Sequence, residues 1–142
     1  MNIHYLTPDF AVAPQITVED LPAIKDAGFD TVICNRPAME STPQDQPELI
    51  AQAVASSGLA FIDNPLVSGQ LSMDHITAQE SAASKKTLAY CASGTRSAIL
   101  WALATAGKMP TDDILEAMSK AGYAMPQLRG QIDMLASPRH PS

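Results

Sequence analysis

Short apolar runs alternate with amphipathic stretches along this chain, and most runs end on a residue that breaks them. Phe10-Ala-Val-Ala-Pro14 is apolar and closed by proline, the pattern of an edge strand. Thr17 with Asp20 three residues on forms a capping-box pattern, and Leu21, Ile24 and Lys25 follow at helical spacing. Gly28 supplies the stop, while Pro22 shortens or kinks this helix. Thr31-Val-Ile-Cys34 predicts a buried strand leading into Asn35-Arg36-Pro37, and Ala38 to Gln46 reads as a polar loop. Pro47 opens a helix carrying Leu49, Ile50, Ala53 and Val54 that ends at Gly58. A strand at Leu59–Ile62 breaks on Asp63-Asn64-Pro65; a loop through Val67–Leu71 and a polar helix from about Ser72 to Ser84 come next.

Thr87-Leu-Ala-Tyr90 predicts another strand, with Cys91 at its carboxyl end and a helix from Thr95 to Ala106 directly afterwards. Ile99, Leu100 and Leu103 share one face of that helix, and Gly107 stops it. Two amphipathic helices close the chain, Thr111–Gly122 with Ile114, Leu115 and Met118, and Pro126–Leu135 with Leu128, Ile132 and Leu135. Alternation of strands and helices predicts an α/β fold with a small, mainly parallel sheet flanked by helices. With 142 residues and 46% hydrophobic composition, one domain is expected, its core at about 10–136 and a flexible tail at 137–142.

A net charge of −6 provides no general field for nucleic acid or an anionic membrane, so any anion must be captured locally. Met1 to Phe10 has no basic leader pattern, and no stretch approaches the roughly 20 apolar residues of a membrane span; the chain reads as soluble and cytoplasmic. Cys34 and Cys91 are too few for a disulfide framework and lack zinc spacing. His4, His75 and His140 are scattered and read as solvated, so neither metal nor cofactor is implied. Trp101 and the phenylalanines read as core, and Met118, Met125 and Met134 as fillers of an internal face, or as cover for a partner subunit in a homo-oligomer.

The chemistry concentrates in Cys91-Ala92-Ser93-Gly94-Thr95-Arg96-Ser97. A loop from a strand's carboxyl end into a helix presents unpaired N–H groups and the positive end of the helix dipole. Gly94 lets the amides of Ala92, Ser93 and Thr95 turn inward as a nest for a tetrahedral anion. That field favours the Cys91 thiolate, the nucleophilic form. Arg96 adds a planar fork for two oxygens, and Ser97 can donate its hydroxyl to the Cys91 sulfur and improve it as a leaving group. Arg36 lines the cleft beside Arg96 or makes a surface ion pair. Cys34 is a buried strand residue or a resolving thiol that pairs with Cys91.

These residues, with Gly28-Phe29-Asp30-Thr31-Val32-Ile33 and Asn35-Arg36-Pro37, resemble the beta-lactamase-hydrolase-like phosphatase-like domain family from about Phe10 to Gly107. The resemblance implies a fold like dual-specificity protein tyrosine phosphatases, a small twisted sheet between helices. It also implies a departure at Ala92, where members commonly carry arginine, which removes a second positive contact to the anion.

Two features bear on the reaction. Four residues separate Cys91 from Arg96, the rhodanese spacing, where protein tyrosine phosphatases have five. The loop after the preceding strand, Pro65 to Gln70, has no carboxylate to protonate a leaving alkoxide, and Asp63 and Asp74, which flank it, read as a turn residue and a helix-start residue. Both favour rhodanese-like sulfur transfer through a Cys91 persulfide. A tyrosine or dual-specificity phosphatase working through a phosphocysteine is the alternative, and a catalytically silent module that binds phosphorylated or sulfated partners is the third reading.

Overall fold

The structure, a computed structural model, describes residues 1–137; of the tail expected at 137–142, residues 138–142, His140 among them, lie outside the described residues. Its strands are β1 (His4–Thr7), β2 (Phe10–Ala13), β3 (Thr31–Cys34), β4 (Ala60–Asp63) and β5 (Thr87–Tyr90). They form a sheet of order β1-β2-β5-β3-β4, parallel except where β1 runs antiparallel to β2. Phe10–Ala13 is therefore not the edge strand its closing proline suggested. It is buried at all four positions and covered by β1 outside it. Pro14 lies just beyond the ladder, so its missing N–H costs no sheet hydrogen bond.

Every position of β5 is buried, as befits the middle of a parallel sheet covered on both faces. Alternation along the strands sends Val12, Ile33 and Ala89 to one face and Ala13, Val32, Cys34 and Tyr90 to the other. The second face packs against α1 (Leu21–Asp26) and α2 (Pro47–Ser56) through Leu21, Ile24, Ile50 and Val54. The first face carries α3 (Met73–Ala82), α4 (Thr95–Thr105), α5 (Thr111–Lys120) and α6 (Arg129–Ala136). Helix α4 is the central one. Ser97, Ala98, Leu100, Trp101, Ala102, Leu103 and Ala104 are all buried, so it touches protein nearly all round.

The capping box at Thr17 and Asp20 forms, but it opens a 3₁₀ turn at Val18–Asp20 before α1 begins. The polar segment Ala38–Gln46 holds two further 3₁₀ turns, Ala38–Glu40 and Pro43–Asp45.

A buried polar network ties the loops after β3 and β4 to α3 and α4. Asn35 Nδ2 donates to Gln79 Oε1 at 2.8 Å and to Asn64 O at 2.9 Å, and Gln79 Nε2 returns a bond to Asn35 Oδ1 at 2.9 Å. Asn64 Nδ2 also donates to Gln79 Oε1 at 2.8 Å. Asn35, Asn64 and Gln79 are at most 6% exposed, so a lost partner would leave a donor or acceptor without water. Gln79→Leu leaves one buried N–H of each asparagine amide without its acceptor, while the bonds from Asn35 to Asn64 O and from Asn64 to His75 O remain, and should lower the unfolding free energy by about 2–4 kcal/mol in a denaturant titration; a loss below about 0.5 kcal/mol would contradict this role.

Candidate active site

The loop is anchored to the sheet on two sides before its chemistry begins. Cys91 N–H donates to Ala13 O at 3.3 Å, Gln15 N–H to Ala92 O at 3.2 Å, and Asn35 N–H to Tyr90 O at 2.8 Å. These bonds fix the carboxyl ends of β2, β5 and β3 around Cys91, which is wholly buried. Gly94 then turns the chain at φ +93°, a left-handed conformation that L side chains rarely adopt. Its N–H donates to Cys91 Sγ at 3.1 Å. The Thr95 N–H goes to Ser93 Oγ at 3.3 Å, so an anion entering the nest competes with that hydroxyl. Ala92 and Ser93 are exposed and form the outer rim.

Arg96 stands in the first turn of α4, and its guanidinium is tightly held. Nη1 and Nη2 donate to Glu40 Oε2 and Oε1 at 2.9 and 2.7 Å, and Nη1 also donates to Leu66 O at 2.7 Å. Of the five N–H donors a guanidinium has, these bonds leave the Nε–H and the second Nη2–H, which form a side-on fork of the kind that grips two oxygens. Glu40 holds the Arg96 guanidinium further above its ordinary value, and the adjacent Cys91 sulfur contributes in the same direction. Reciprocally, hydrogen bonding to Arg96 holds the Glu40 carboxyl below the usual carboxylate range. Glu40 is consequently ionised at neutral pH, which suits a clamp and not a proton donor.

Arg36 makes the ion pair, and it is not among the residues that line the cavity beside Arg96. Nη1 donates to Gln15 Oε1 at 3.0 Å, and Nε lies 3.7 Å from Glu40 Oε1, so Glu40 bridges both arginines. The Ser97 hydroxyl does not go to sulfur. It is buried and donates to Asn35 Oδ1 at 2.9 Å, because α4 directs it into the polar network. Cys34, on the α1–α2 face, and Cys91 are both buried free thiols, and no disulfide joins them. Burial pushes the Cys34 thiol up, and its sulfur donates to Arg36 O at 3.3 Å.

The loop Pro65–Gln70 indeed brings no carboxylate. It contributes one wall of a cavity of about 380 Å³ beside the loop, with Leu66, Leu71 and Ile99 apolar and Ser93, Thr95 and Arg96 polar. Asp63, though exposed, is raised by desolvation, but it lines a different cavity with Ala38, Gln46 and Phe61. Asp74 and His75 lie in the first turn of α3, where His75 Nδ1 makes the capping contacts with Ser72. His4 rests edge-on against Tyr123. Sequence reasoning missed Glu40, the asparagine network and Tyr123, whose Oη donates to Ser93 O at 3.1 Å. The only signal for Glu40 was a carboxylate close after Asn35-Arg36-Pro37.

Residues 2–108 match the model of the beta-lactamase hydrolase-like protein, phosphatase-like domain. The chain belongs to that family. No functionally curated protein matches the sequence. Among solved structures, a protein assigned as a phosphatase from Neisseria meningitidis Z2491 is similar at 29% identity, with a TM-score of 0.80 over 95% of this chain and 99% of that one. A protein of the DUF442 group assigned as a phosphatase, from Shewanella putrefaciens CN-32, is similar at 16% identity, with a TM-score of 0.76 over 99% of this chain and 94% of that one. PTPMT1, at 12% identity and a TM-score of 0.77, covers 96% of this chain and 95% of its own. The fold is that of protein tyrosine and dual-specificity phosphatases, as the resemblance implied. Family and neighbours make this chain phosphatase-like and support an enzyme; none of them supports sulfur transfer.

Glu40→Ala removes two of the three bonds that aim Arg96 and should lower kcat/KM by about 10- to 100-fold, checked against a small aryl phosphate. The sign of the pH effect follows from the lowered Glu40 value. The clamp is fully present above the ordinary glutamate pKa of about 4.3 and is lost only as pH falls through the depressed folded value. Substrate affinity that failed between pH 5 and 6 would contradict this assignment.

Proposed function

We propose that the protein is a Cys91-dependent phosphatase for small phosphate compounds with good leaving groups. The observation that carries this reading is the pairing of the Cys91 sulfur with a guanidinium held so that one edge stays available to oxygens, in a fold shared with phosphatases. In the first step the Cys91 thiolate attacks phosphorus, the bond from phosphorus to the leaving oxygen breaks, and Arg96 and the loop amides bind the equatorial oxygens. In the second, water attacks the phosphocysteine, releasing phosphate and restoring the thiol. With Glu40 ionised and Pro65–Gln70 free of carboxylates, protonation of the leaving group is weakly assisted. An aryl phosphate or an acyl phosphate, whose leaving groups depart as stabilised anions, therefore suits the site better than an alkyl ester.

Among the described residues lining the cavity, Arg96 alone is charged, against the apolar walls Leu66, Leu71 and Ile99. That composition supports a substrate with one anionic head and an apolar remainder over a polyphosphorylated one. A cytoplasmic setting, reducing enough to keep Cys34 and Cys91 as thiols, and no nucleic-acid or membrane partner complete the reading.

Sulfur transfer is the second reading, favoured by the four-residue spacing from Cys91 to Arg96 and by the acid-free loop. There the thiolate would attack the outer sulfur of thiosulfate, sulfite would leave, and the persulfide would pass to an acceptor thiol. Purified protein tested with p-nitrophenyl phosphate, and separately with thiosulfate plus cyanide, distinguishes the two. The expected result is phosphate release abolished by Cys91→Ser, with a steep fall in rate as the leaving group becomes more basic. Thiocyanate formation without phosphate release would replace the first reading by the second, and silence in both assays would leave an anion-binding module.

A further inference from the structure

We propose that Tyr123 is a positioning residue for the Cys91 sulfur, acting through the Ser93–Gly94 peptide; the inference rests on the reading of Cys91 as the working thiolate. Two hydrogen bonds end on that single peptide plane. Its carbonyl accepts from Tyr123 Oη at 3.1 Å, and its N–H donates to Cys91 Sγ at 3.1 Å. The peptide is trans, so the carbonyl and N–H point in opposite directions, and holding one fixes the aim of the other. A plane preceding glycine is the easiest in a chain to flip, because Gly94 tolerates φ of either sign. A flip would turn a carbonyl oxygen toward the sulfur in place of a donor and so destabilise a thiolate there. The phenol opposes the flip, and by polarising the carbonyl it strengthens the N–H as a donor.

The surrounding structure delivers this hydroxyl to the loop. Gly122, at φ +97°, ends α5 and sends the chain back, and Tyr123 N–H donates to Met118 O at 2.8 Å. The His4 ring on β1 meets the Tyr123 ring edge-on, with centroids 5.5 Å apart and planes at 89°. A Cβ at Gly94 would run into the Tyr123 hydroxyl, so glycine there serves the contact as well as the turn. Desolvation, and then the charge of Cys91, push the Tyr123 phenol above its ordinary value, which keeps it a donor at neutral pH. The family match stops at residue 108, so Tyr123 comes from the segment beyond it, and a hydroxyl from that segment completes the loop.

The test uses the full chain carrying Cys34→Ala, so that Cys91 is the one thiol left, alkylated with iodoacetamide across pH and followed by mass spectrometry. With Tyr123 intact, inorganic phosphate should protect Cys91 from alkylation; if it does not, the reading of Cys91 as the working thiolate beside the anion cradle fails, separately from the present inference. Given that baseline, Tyr123→Phe keeps the ring and its packing and removes only the hydroxyl. It should slow alkylation at pH 7 by about 3- to 10-fold and move the alkylation profile to higher pH, with little change in Tm. Tyr123→Leu, which also removes the ring, should lose a similar factor. A Phe variant within twofold of the parent, or slowing confined to the Leu variant, would overturn the proposal.

Discussion

The site depends on one tight turn between β5 and α4. Backbone bonds to Ala13, Gln15 and Asn35 hold the start of the loop, and the left-handed Gly94 swings its N–H onto the Cys91 sulfur. At the next residue α4 begins, buried nearly all round, with its amino end and Arg96 facing the same place. Here the sheet on one side and Tyr123 on the other remove the freedom that glycine would otherwise bring.

Charge is arranged with the same economy. Glu40 spans Arg96 and Arg36, so the negative charge nearest the site serves to aim a guanidinium. Because that pairing keeps Glu40 ionised, it cannot double as a proton donor. The consequence reaches chemistry: a thiolate with a well-aimed anion clamp and weak help for the leaving group works best where the leaving group needs no help.

Much of this was legible in the sequence, and the parts that were not share a cause. The strands carrying Val32 and Leu88, the turn at Gly94 and the helix through Leu100 are local patterns, each decided by a few adjacent residues. Strand β1 escaped because Leu6 is its one buried residue, so no apolar run marks it. Glu40 and Arg96 are 56 residues apart and Asn35 and Ser97 are 62 apart, and no spacing rule reports a pair that only tertiary packing creates. The Ser97 hydroxyl was expected at the sulfur for want of the information that a buried asparagine lies nearer its path. The four-residue spacing from Cys91 to Arg96 is plain in the sequence, yet a spacing alone weighs less for the reaction than the phosphatase-like family and fold around it.

The central claim is that Cys91 takes the transferred group onto its sulfur as a phosphoryl group. Rapid quenching with an aryl phosphate, followed by peptide mass spectrometry at low temperature, measures this directly. The account predicts a phosphate adduct on Cys91 that disappears on hydrolysis and never forms in Cys91→Ser; an unmodified Cys91 during turnover, or one that gains only a sulfur atom from thiosulfate, would contradict it.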